Sequence, residues 1–246
     1  MKKLVNAAVV SASLLSPAYL LLIVNTGTAI PVAAGQFASI GLPGVCLRRP
    51  FSIHDADGAV LSFLIKIVGG GTRRLAKLKP GDTLSIMYPL GNGFMLSEKP
   101  AVLVGGGCGL APLLLLAKQL QAAGARPLAV LGGRSKDDIV ELGALAKYAA
   151  VRVATEDGSL GARGLVTAEL NDLKSGAAVY ACGPEAMLKA LHKLAAEKNF
   201  HLQLSLEALM ACGVGACLGC VTDTLKDGRV CVCSAGPVFN AEDLPW

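Results

Sequence analysis

The sequence predicts three parts: an antiparallel β-barrel, a doubly wound α/β domain built on a parallel sheet, and a small cysteine-rich segment. Residues 4 to about 95 are short apolar runs broken by glycine and proline, which is typical of an antiparallel barrel. Residues 101 to 198 alternate strand-like and helix-like patterns, which favours a parallel sheet. A closely spaced cysteine set follows near the C-terminus. We therefore place the boundaries at residues 1–97, 98–204 and 205–246.

Composition narrows the functions that the chain can have. Its 246 residues suffice for two ordinary domains. The net charge is +5, lysine and arginine are scattered, and aromatic residues make up only 4%, so nothing predicts a nucleic-acid partner. Because the cysteines outside the C-terminal set are dispersed, we expect no disulfide framework and a reducing, cytoplasmic setting. These dispersed cysteines are Cys46, Cys108, Cys182 and Cys231.

The N-terminal run from Leu4 to Val24 is largely apolar and resembles a signal peptide or a membrane anchor. Pro17 divides the run into pieces that are too short to cross a bilayer as one helix. Asn6 and Ser11 interrupt it with polar groups. Two β-strands joined at Ser16-Pro17 explain the same residues, and we favour the strands. No membrane association is predicted.

Within the barrel, two short motifs have the composition of a dinucleotide site. Arg49-Pro50-Phe51-Ser52 places an arginine and a hydroxyl at a barrel edge, and Gly69 to Thr72 is a glycine-rich turn. Arginine pairs well with phosphates, and serine can hydrogen-bond to the ring of a flavin. A flavin dinucleotide is one interpretation of these residues; a surface arginine and an ordinary turn are the other.

In the second part, strands lead into glycine turns. The strand Ala101–Val104 is followed by Gly105–Pro112, and such a turn before a helix binds phosphate through backbone N–H groups, although the spacing is not G-x-G-x-x-G. Gly105–Gly109, Gly132–Arg134 and Cys182–Pro184 fall at the carboxyl ends of strands, where a doubly wound sheet binds its ligands. The other predicted strands are Leu128–Leu131, Val151–Ala154, Ala177–Ala181 and one from His201; the predicted helices are Leu113–Ala123, Asp137–Tyr148, Thr167–Leu173 and Met187–Lys198.

The cysteine set has the spacing C-x4-C-x2-C, from Cys212 through Cys217 to Cys220, with Cys233 further on. This is the plant-type arrangement for a 2Fe–2S cluster. Glycines between the cysteines let the backbone wrap closely round the cluster and bring N–H donors to the sulfurs. Four cysteines also bind zinc, but structural zinc usually uses two C-x2-C pairs. We favour the iron–sulfur cluster. Because Cys231 lies beside Cys233, the fourth ligand is less certain than the first three.

Several motifs appear together in a known order: Arg49 to Ser52, Gly71-Thr72, Gly105 to Pro112, and Cys182-Gly183-Pro184. Together they resemble the ferredoxin–NADP reductase superfamily, in which a flavin barrel precedes a nicotinamide domain. The C-terminal cysteine loop narrows the resemblance. With it, and with the segments 47–50, 89–94 and 232–239, the chain resembles the electron-transfer subunits of class 1B dihydroorotate dehydrogenases over nearly its full length.

The resemblance implies FAD, a 2Fe–2S cluster and NAD as cofactors, with no acid–base residue of the chain's own. A partner subunit carrying FMN would oxidise dihydroorotate to orotate, within a heterotetramer of two copies of each chain, and electrons would pass through the cluster and FAD to NAD+. FAD is implied at Arg49, Pro50, Phe51, Ser52, Leu64, Ile65, Lys66, Gly71 and Thr72. NAD is expected at Gly105, Gly106, Gly107, Gly109, Cys182, Gly183 and Pro184. The cluster is implied on Cys212, Cys217, Cys220 and Cys233, and Cys231 is left out.

Lys66 stands where relatives often carry arginine, and the short interval between Cys220 and Cys233 leaves ligand exchange with Cys231 open. Leu218, between two ligands, is expected to contact the partner, whereas packing and partner contact are equally open for Phe239. His54, His192 and His201 are expected at the surface or on helices.

Two other functions remain open. One is a related flavin–cluster subunit with a different partner, such as an NADH-dependent ferredoxin reductase that bifurcates electrons, or a sulfhydrogenase. The other is an iron–sulfur sensor that has lost nicotinamide turnover.

Overall fold

The computed structural model describes residues 2–42 and 44–246, and its first part is a seven-stranded antiparallel sheet. The strand order is β4-β3-β7-β1-β2-β6-β5. The apolar N-terminal run forms β1 and β2, paired with Ala12 opposite Leu22, so the strand prediction is confirmed. No helix in the described part of the chain has the length and apolar character that crossing a membrane requires. The strands are β1 (Lys3–Ser16), β2 (Tyr19–Asn25), β3 (Phe37–Gly41), β4 (Arg49–Ser52), β5 (Asp55–Asp57), β6 (Val60–Lys66) and β7 (Thr83–Leu90).

The second part is a seven-stranded sheet in the order β11-β10-β9-β8-β12-β13-β16. Every neighbouring pair is parallel except β13 and β16, which are antiparallel. The central strands are buried on both faces, which explains their continuous apolar runs. The strands are β8 (Ala101–Gly106), β9 (Leu128–Gly133), β10 (Ala150–Thr155), β11 (Ala162–Arg163), β12 (Ala178–Cys182), β13 (His201–Ser205) and β16 (Val238–Asn240).

Helices α2 (Leu113–Ala122) and α4 (Glu185–Lys198) lie close to their predicted positions. The predicted helix over Asp137–Tyr148 is wrong in extent: a 3-10 turn at Lys136–Asp138 is separated from the short α3 (Leu142–Leu145). Glu141 breaks the helix because its φ is +60°, outside the right-handed helical region. The predicted helix Thr167–Leu173 is a 3-10 helix over Val166–Leu170.

The two parts share one hydrophobic core. Tyr19 and Phe63 from the barrel are buried in the same cluster as Leu113 and Tyr180 from the second part. Phe94 packs edge-to-face on Tyr180 with ring centroids 5.6 Å apart. This shared core fixes the first sheet against the second, so the sites along their boundary have a defined geometry.

The cysteine-rich segment leaves the second sheet after β13 and returns to it through β16. Between them lie the hairpin β14 (Val221–Thr224) and β15 (Gly228–Cys231) and the short α5 (Val232–Ala235). Asn92, just after the barrel, ties this return path to the first part. Its side chain donates to the carbonyls of Ala235 and Val238 and accepts from the Val238 N–H at 2.9 Å.

The expectation for the histidines is wrong for His54, which is only 2% exposed. The sequence placed it next to polar residues, but the chain there runs under helix α2. His192 lies on helix α4 and His201 is exposed at the start of β13, as expected.

Candidate functional site: two cavities and a cysteine loop

A cavity of about 520 Å³ lies where the barrel meets the second sheet and the start of the cysteine-rich segment. β4 and β6 supply one wall. Cys108, Ala111 and Cys182 from the second part also line it, as do four residues from the C-terminal segment, namely Glu207, Ala208, Met210 and Pro237. Every residue that the resemblance implied for FAD lines this cavity, namely Arg49, Pro50, Phe51, Ser52, Leu64, Ile65, Lys66, Gly71 and Thr72. We name it the flavin cavity, after the cofactor that the resemblance leads us to expect there.

Two successive arginines at the start of β4 have different environments. Arg48 donates to the Ser39 and Ser85 carbonyls at 2.7 Å each and therefore joins β3 to β7. Arg49 faces the flavin cavity, and its side chain lies against Gly71, where a Cβ would come 3.4 Å from Nε. Arg49 Nη1 donates to the Leu47 carbonyl at 2.7 Å, and the rest of its guanidinium is the group that we expect to meet a phosphate.

The glycine-rich turn opens a short helix, α1 (Gly70–Leu75). The Thr72 hydroxyl accepts from the Val68 and Gly69 N–H groups at 3.0 and 3.1 Å and donates to the Gly69 carbonyl. Thr72 therefore holds the turn in shape, and the backbone of Gly69 to Gly71 forms the surface that faces the cavity.

A second cavity of about 430 Å³ opens at the carboxyl ends of the parallel strands. Gly106, Gly107 and Pro184, predicted for NAD, line it together with Arg134 and Glu156. We name it the nicotinamide cavity. Four residues predicted for NAD are not among its lining residues: Gly105, Gly109, Cys182 and Gly183. Cys182 lines the flavin cavity instead. Gly109 lies where two backbones approach closely, since a Cβ there would come 2.0 Å from the Cys182 carbonyl oxygen, and a Cβ on Gly105 would come 2.6 Å from the Leu113 side chain.

Lys66 and Asp138 join the two cavities. Lys66 lines both, and its Nζ lies 2.8 Å from Asp138 Oδ1 and 5.2 Å from the centre of the Tyr19 ring. The Tyr19 hydroxyl and the Arg134 N–H also donate to the Asp138 carboxylate, at 3.1 Å each. Burial alone would raise the pKa of Asp138, but the hydrogen bonds from Lys66, Arg134 and Tyr19 lower it overall.

Cys108 and Glu207 form a second polar contact on the flavin cavity. The Cys108 thiol donates to Glu207 Oε1 at 3.2 Å, which links the glycine turn after β8 to the start of the cysteine-rich segment. Burial, and then the neighbouring Glu207 carboxylate, raise the pKa of Cys108 to about 12. The thiol is therefore protonated and weakly nucleophilic at neutral pH.

We expect Glu207→Gln to make Cys108 react severalfold faster with iodoacetamide at pH 8.5. The substitution removes a negative charge that disfavours the thiolate, and each unit by which the pKa falls raises the thiolate fraction about tenfold. Peptide mass spectrometry of alkylated Cys108 measures the rate, with exposed Cys46 as the internal control. An unchanged rate at Cys108 would show that burial alone sets its pKa.

The cysteine loop surrounds its thiols with backbone donors. N–H groups of Val214 and Cys217 donate to Cys212 Sγ at 3.5 and 3.4 Å, and that of Gly215 to Cys233 Sγ at 3.0 Å. The Cys233 N–H donates to Cys220 Sγ at 3.4 Å. The Val214 and Cys217 donors lower the pKa of Cys212 to about 6, the Val214 N–H contributing most. Such a cradle stabilises thiolates, as an iron–sulfur cluster requires.

Cys231 has a different environment. It is 8% exposed, and its thiol points at the Gly215 carbonyl oxygen, 3.9 Å away, so it acts as a donor. Burial raises its pKa. In the described ranges 2–42 and 44–246, no three His, Cys, Asp or Glu side chains converge closely enough for one metal ion. A two-iron cluster shares four cysteines between two metal atoms, so its ligands need not meet at one point.

The apolar residues round the cluster divide into two groups. Phe239 and Leu244 are buried in the same hydrophobic cluster as Cys220 and Cys233, whereas Val238 is buried in the core that the two sheets share. Leu218 is 66% exposed and has a φ of +54°. Phe239 therefore packs under the cluster, and Leu218 is free for a partner.

Sequence reasoning missed the contributions of Tyr19, Asp138 and Glu207 to the two cavities. Their partners lie 72 to 119 residues away along the chain, and no local motif marks such pairs. The sequence did indicate Arg134 as a site residue, because it follows the pair Gly132-Gly133 at the end of a predicted strand.

Comparison with known proteins agrees with this geometry. The family model of the iron–sulfur cluster binding domain of dihydroorotate dehydrogenase B matches residues 207–245, and that of the oxidoreductase NAD-binding domain matches residues 103–193. The electron transfer subunit of dihydroorotate dehydrogenase B (NAD(+)) from Caldanaerobacter subterraneus subsp. tengcongensis is 42% identical over 216 residues, 85% of this chain and 86% of that one. The subunit of the same name from Streptococcus pneumoniae R6 is 39% identical over 251 residues, 98% of each chain.

Among solved structures, the NADH-dependent reduced ferredoxin-NADP oxidoreductase, described for flavin-based electron bifurcation, superposes with a TM-score of 0.88 at 28% identity. The match covers 98% of this chain and 90% of that one. An oxidoreductase of the ferredoxin reductase type is thus the class of protein that the fold defines. More narrowly, the chain belongs to the family of electron transfer subunits of NAD-dependent dihydroorotate dehydrogenase B. Its cofactors are FAD, a 2Fe–2S cluster and NAD.

Proposed function

We propose that this chain passes electrons from an FMN-containing catalytic subunit, which oxidises dihydroorotate, to NAD+. One observation carries the proposal: Glu207, Ala208 and Met210, at the start of the cysteine-rich segment, form a wall of the flavin cavity. The cysteine loop is therefore continuous with the flavin site, and an electron can cross between them without leaving the protein. The cluster handles single electrons, and the flavin can accept them singly and release them as a pair.

The chain's own residues bind and orient the cofactors. Arg49 pairs with the FAD diphosphate, and the Ser52 hydroxyl hydrogen-bonds at the flavin ring. Gly106 and Gly107 let the NAD phosphates approach the backbone at the end of β8. The thiolates of Cys212, Cys217, Cys220 and Cys233 hold the cluster. The functional units are residues 1–97 for FAD, 98–204 for NAD and 205–246 for the cluster.

The partner docks on the exposed side of the cysteine loop, where Leu218 and Val214 project. The proposed assembly is a heterotetramer with two copies of each subunit. None of the eight cysteines, all of which lie in the described ranges, forms a disulfide, which fits a reducing cytoplasm.

We expect Leu218→Asp to reduce dihydroorotate-to-NAD+ turnover of the assembled complex at least tenfold while NADH-driven dye reduction stays near the wild-type rate. A carboxylate in a desolvated apolar contact weakens binding, and aspartate tolerates the positive φ at this position. Leu225→Asp is the matched control, because Leu225 is 68% exposed on the nearby hairpin turn and lies outside the ligand set.

Both activities are measured on complexes rebuilt from purified subunits. Equal loss of both activities in Leu218→Asp would show that Leu218 supports the cluster fold. Equal loss of dihydroorotate-to-NAD+ turnover in Leu218→Asp and Leu225→Asp would place the docking surface elsewhere. Failure of the wild-type pair to couple dihydroorotate oxidation to NAD+ would overturn the proposed function itself.

A ferredoxin-linked partner is the second candidate, favoured by the likeness to the bifurcating reductase at 28% identity. The relatives at 39–42% identity favour the dihydroorotate partner. Purification of the native complex and identification of the bound chain distinguish the two.

A further inference from the structure

His54 occupies the boundary between the barrel and the second sheet. It lies two residues after Ser52, the last residue of β4, and is 2% exposed. Its Nδ1 lies 2.7 Å from the Ala111 carbonyl oxygen. A carbonyl oxygen can only accept, so Nδ1 carries the hydrogen. The Leu115 N–H, in the first turn of α2, donates to the His54 carbonyl at 3.1 Å.

These two hydrogen bonds join the walls of both cavities at one residue. Ser52 and Ala111, from the first and the second part of the chain, both line the flavin cavity. Ala111 also belongs to the turn that starts with Gly106 and Gly107, which line the nicotinamide cavity. The position of this turn relative to β4 therefore depends on the contact between His54 and Ala111.

The other ring nitrogen shows that this contact is not ordinary core packing. Nε2 is buried and has no hydrogen bond within the described chain; its nearest partner is the Glu141 carboxylate oxygen 3.7 Å away, a contact that becomes an ion pair when the ring is protonated. The His54 ring lowers the pKa of Glu141. A buried unsatisfied polar atom is unfavourable. A leucine would fill the site without that cost, but it could not donate to Ala111. Two properties thus distinguish histidine here, the Nδ1 bond to Ala111 and the contact with Glu141, and only the first reaches a residue that lines the flavin cavity.

We propose that His54 is a positioning residue for hydride exchange: its Nδ1–H bond to Ala111 sets the spacing between the flavin strand β4 and the nicotinamide turn. The inference rests on the proposed placement of FAD and NAD in the two cavities. Hydride transfer needs the donor carbon and acceptor atom about 3–3.5 Å apart, and a displacement of ~1 Å costs up to about 100-fold in rate.

Two substitutions of His54 by an amide side chain distinguish the contributions of its two ring nitrogens. In His54→Asn the amide nitrogen occupies the place of Nδ1 and can still donate to Ala111. In His54→Gln it occupies the place of Nε2, so the Ala111 carbonyl loses its donor. Glu141→Gln leaves the Nδ1 bond intact and serves as the control on the Nε2 side.

The first measurement is the rate constant for flavin reduction by saturating NADH in stopped flow, with dithionite reduction as a nicotinamide-independent control. We expect His54→Gln to slow the NADH step at least about tenfold, with His54→Asn and Glu141→Gln within about twofold of wild type. The second measurement, which needs no turnover, is hydrogen exchange of peptides covering residues 105–116. Exchange should be faster in His54→Gln only, because the turn has lost its tie to β4.

Equal rates and equal exchange in His54→Gln and His54→Asn would overturn the inference. So would loss of the folded circular dichroism signal or of FAD in His54→Gln, because His54 would then support the fold as a whole. If NADH failed to reduce the wild-type flavin, the proposed function would fail instead.

Discussion

Replacing Cys233 with serine should abolish or shift the EPR signal of the reduced cluster, whereas Cys231→Ser should leave it intact. Cys233 is fully buried, its sulfur accepts the Gly215 N–H, and its own N–H donates to the sulfur of Cys220. Burial raises the pKa of Cys233 to about 12, so its thiolate requires the positive charge of a metal centre. Cys231 points at a carbonyl oxygen, which would repel a thiolate.

Iron content and the visible spectrum measure the same effect without turnover. We expect ~2 iron atoms per chain in wild type and Cys231→Ser, and a large loss in Cys212→Ser and Cys233→Ser. Cys46→Ser is the neutral control, since Cys46 is exposed and outside the loop. The reverse pattern, with iron lost from Cys231→Ser and kept in Cys233→Ser, would make Cys231 the fourth ligand.

Asp138→Asn should destabilise the chain by about 2–3 kcal/mol at pH 7, because charged hydrogen bonds of this kind each contribute about 1.5–3 kcal/mol. The change removes the negative charge facing Lys66 and weakens the acceptor for Tyr19 and Arg134. For a chain of 246 residues the loss lowers the melting temperature by roughly 4–12 °C. Asp137→Asn is the control: Asp137 is the exposed neighbour of Asp138 in sequence, and its substitution should change the melting temperature little.

The stabilisation that the ion pair between Lys66 and Asp138 contributes depends on pH in a defined direction. The folded-state pKa of Asp138 lies below its unfolded value, so its stabilising contribution is fully present above about pH 4. The contribution is lost as the pH falls through the folded-state pKa. The difference between wild type and Asp138→Asn should therefore shrink below pH 4, as thermal melts across that range would show. A constant difference would mean that packing, rather than charge, carries the effect.

The order of the parts could be predicted because local patterns specify it. Glycine and proline mark the barrel turns, and the apolar runs of β8 and β12 are the signature of central parallel strands. The motifs that we expect to bind ligands could also be found in the sequence, because each needs a particular local conformation. The turn from Gly69 to Thr72 is an example. The C-x4-C-x2-C spacing needs only one loop to bring its thiols together.

Long-range pairs and helix limits could not be predicted in the same way. Tyr19 and Lys66 meet Asp138 only because two sheets pack together, and neither residue has a distinctive neighbour in sequence. His54 looked like a surface residue because burial comes from helix α2, about 60 residues later. The break at Glu141 depends on a single positive φ that residue type does not specify.

The antiparallel pairing of β13 with β16 has a consequence for how the protein matures. Gln203, Leu204 and Ser205 pair with Asn240, Phe239 and Val238, so both ends of the cysteine-rich segment are fixed to a sheet made from protein alone. Iron is therefore delivered to a loop with anchored ends, and its capture orders far fewer conformations than it would in a free tail. The entry and the exit of the metal-binding loop thus lie side by side on neighbouring strands, so the loop would close round the metal like a clasp with a fixed base.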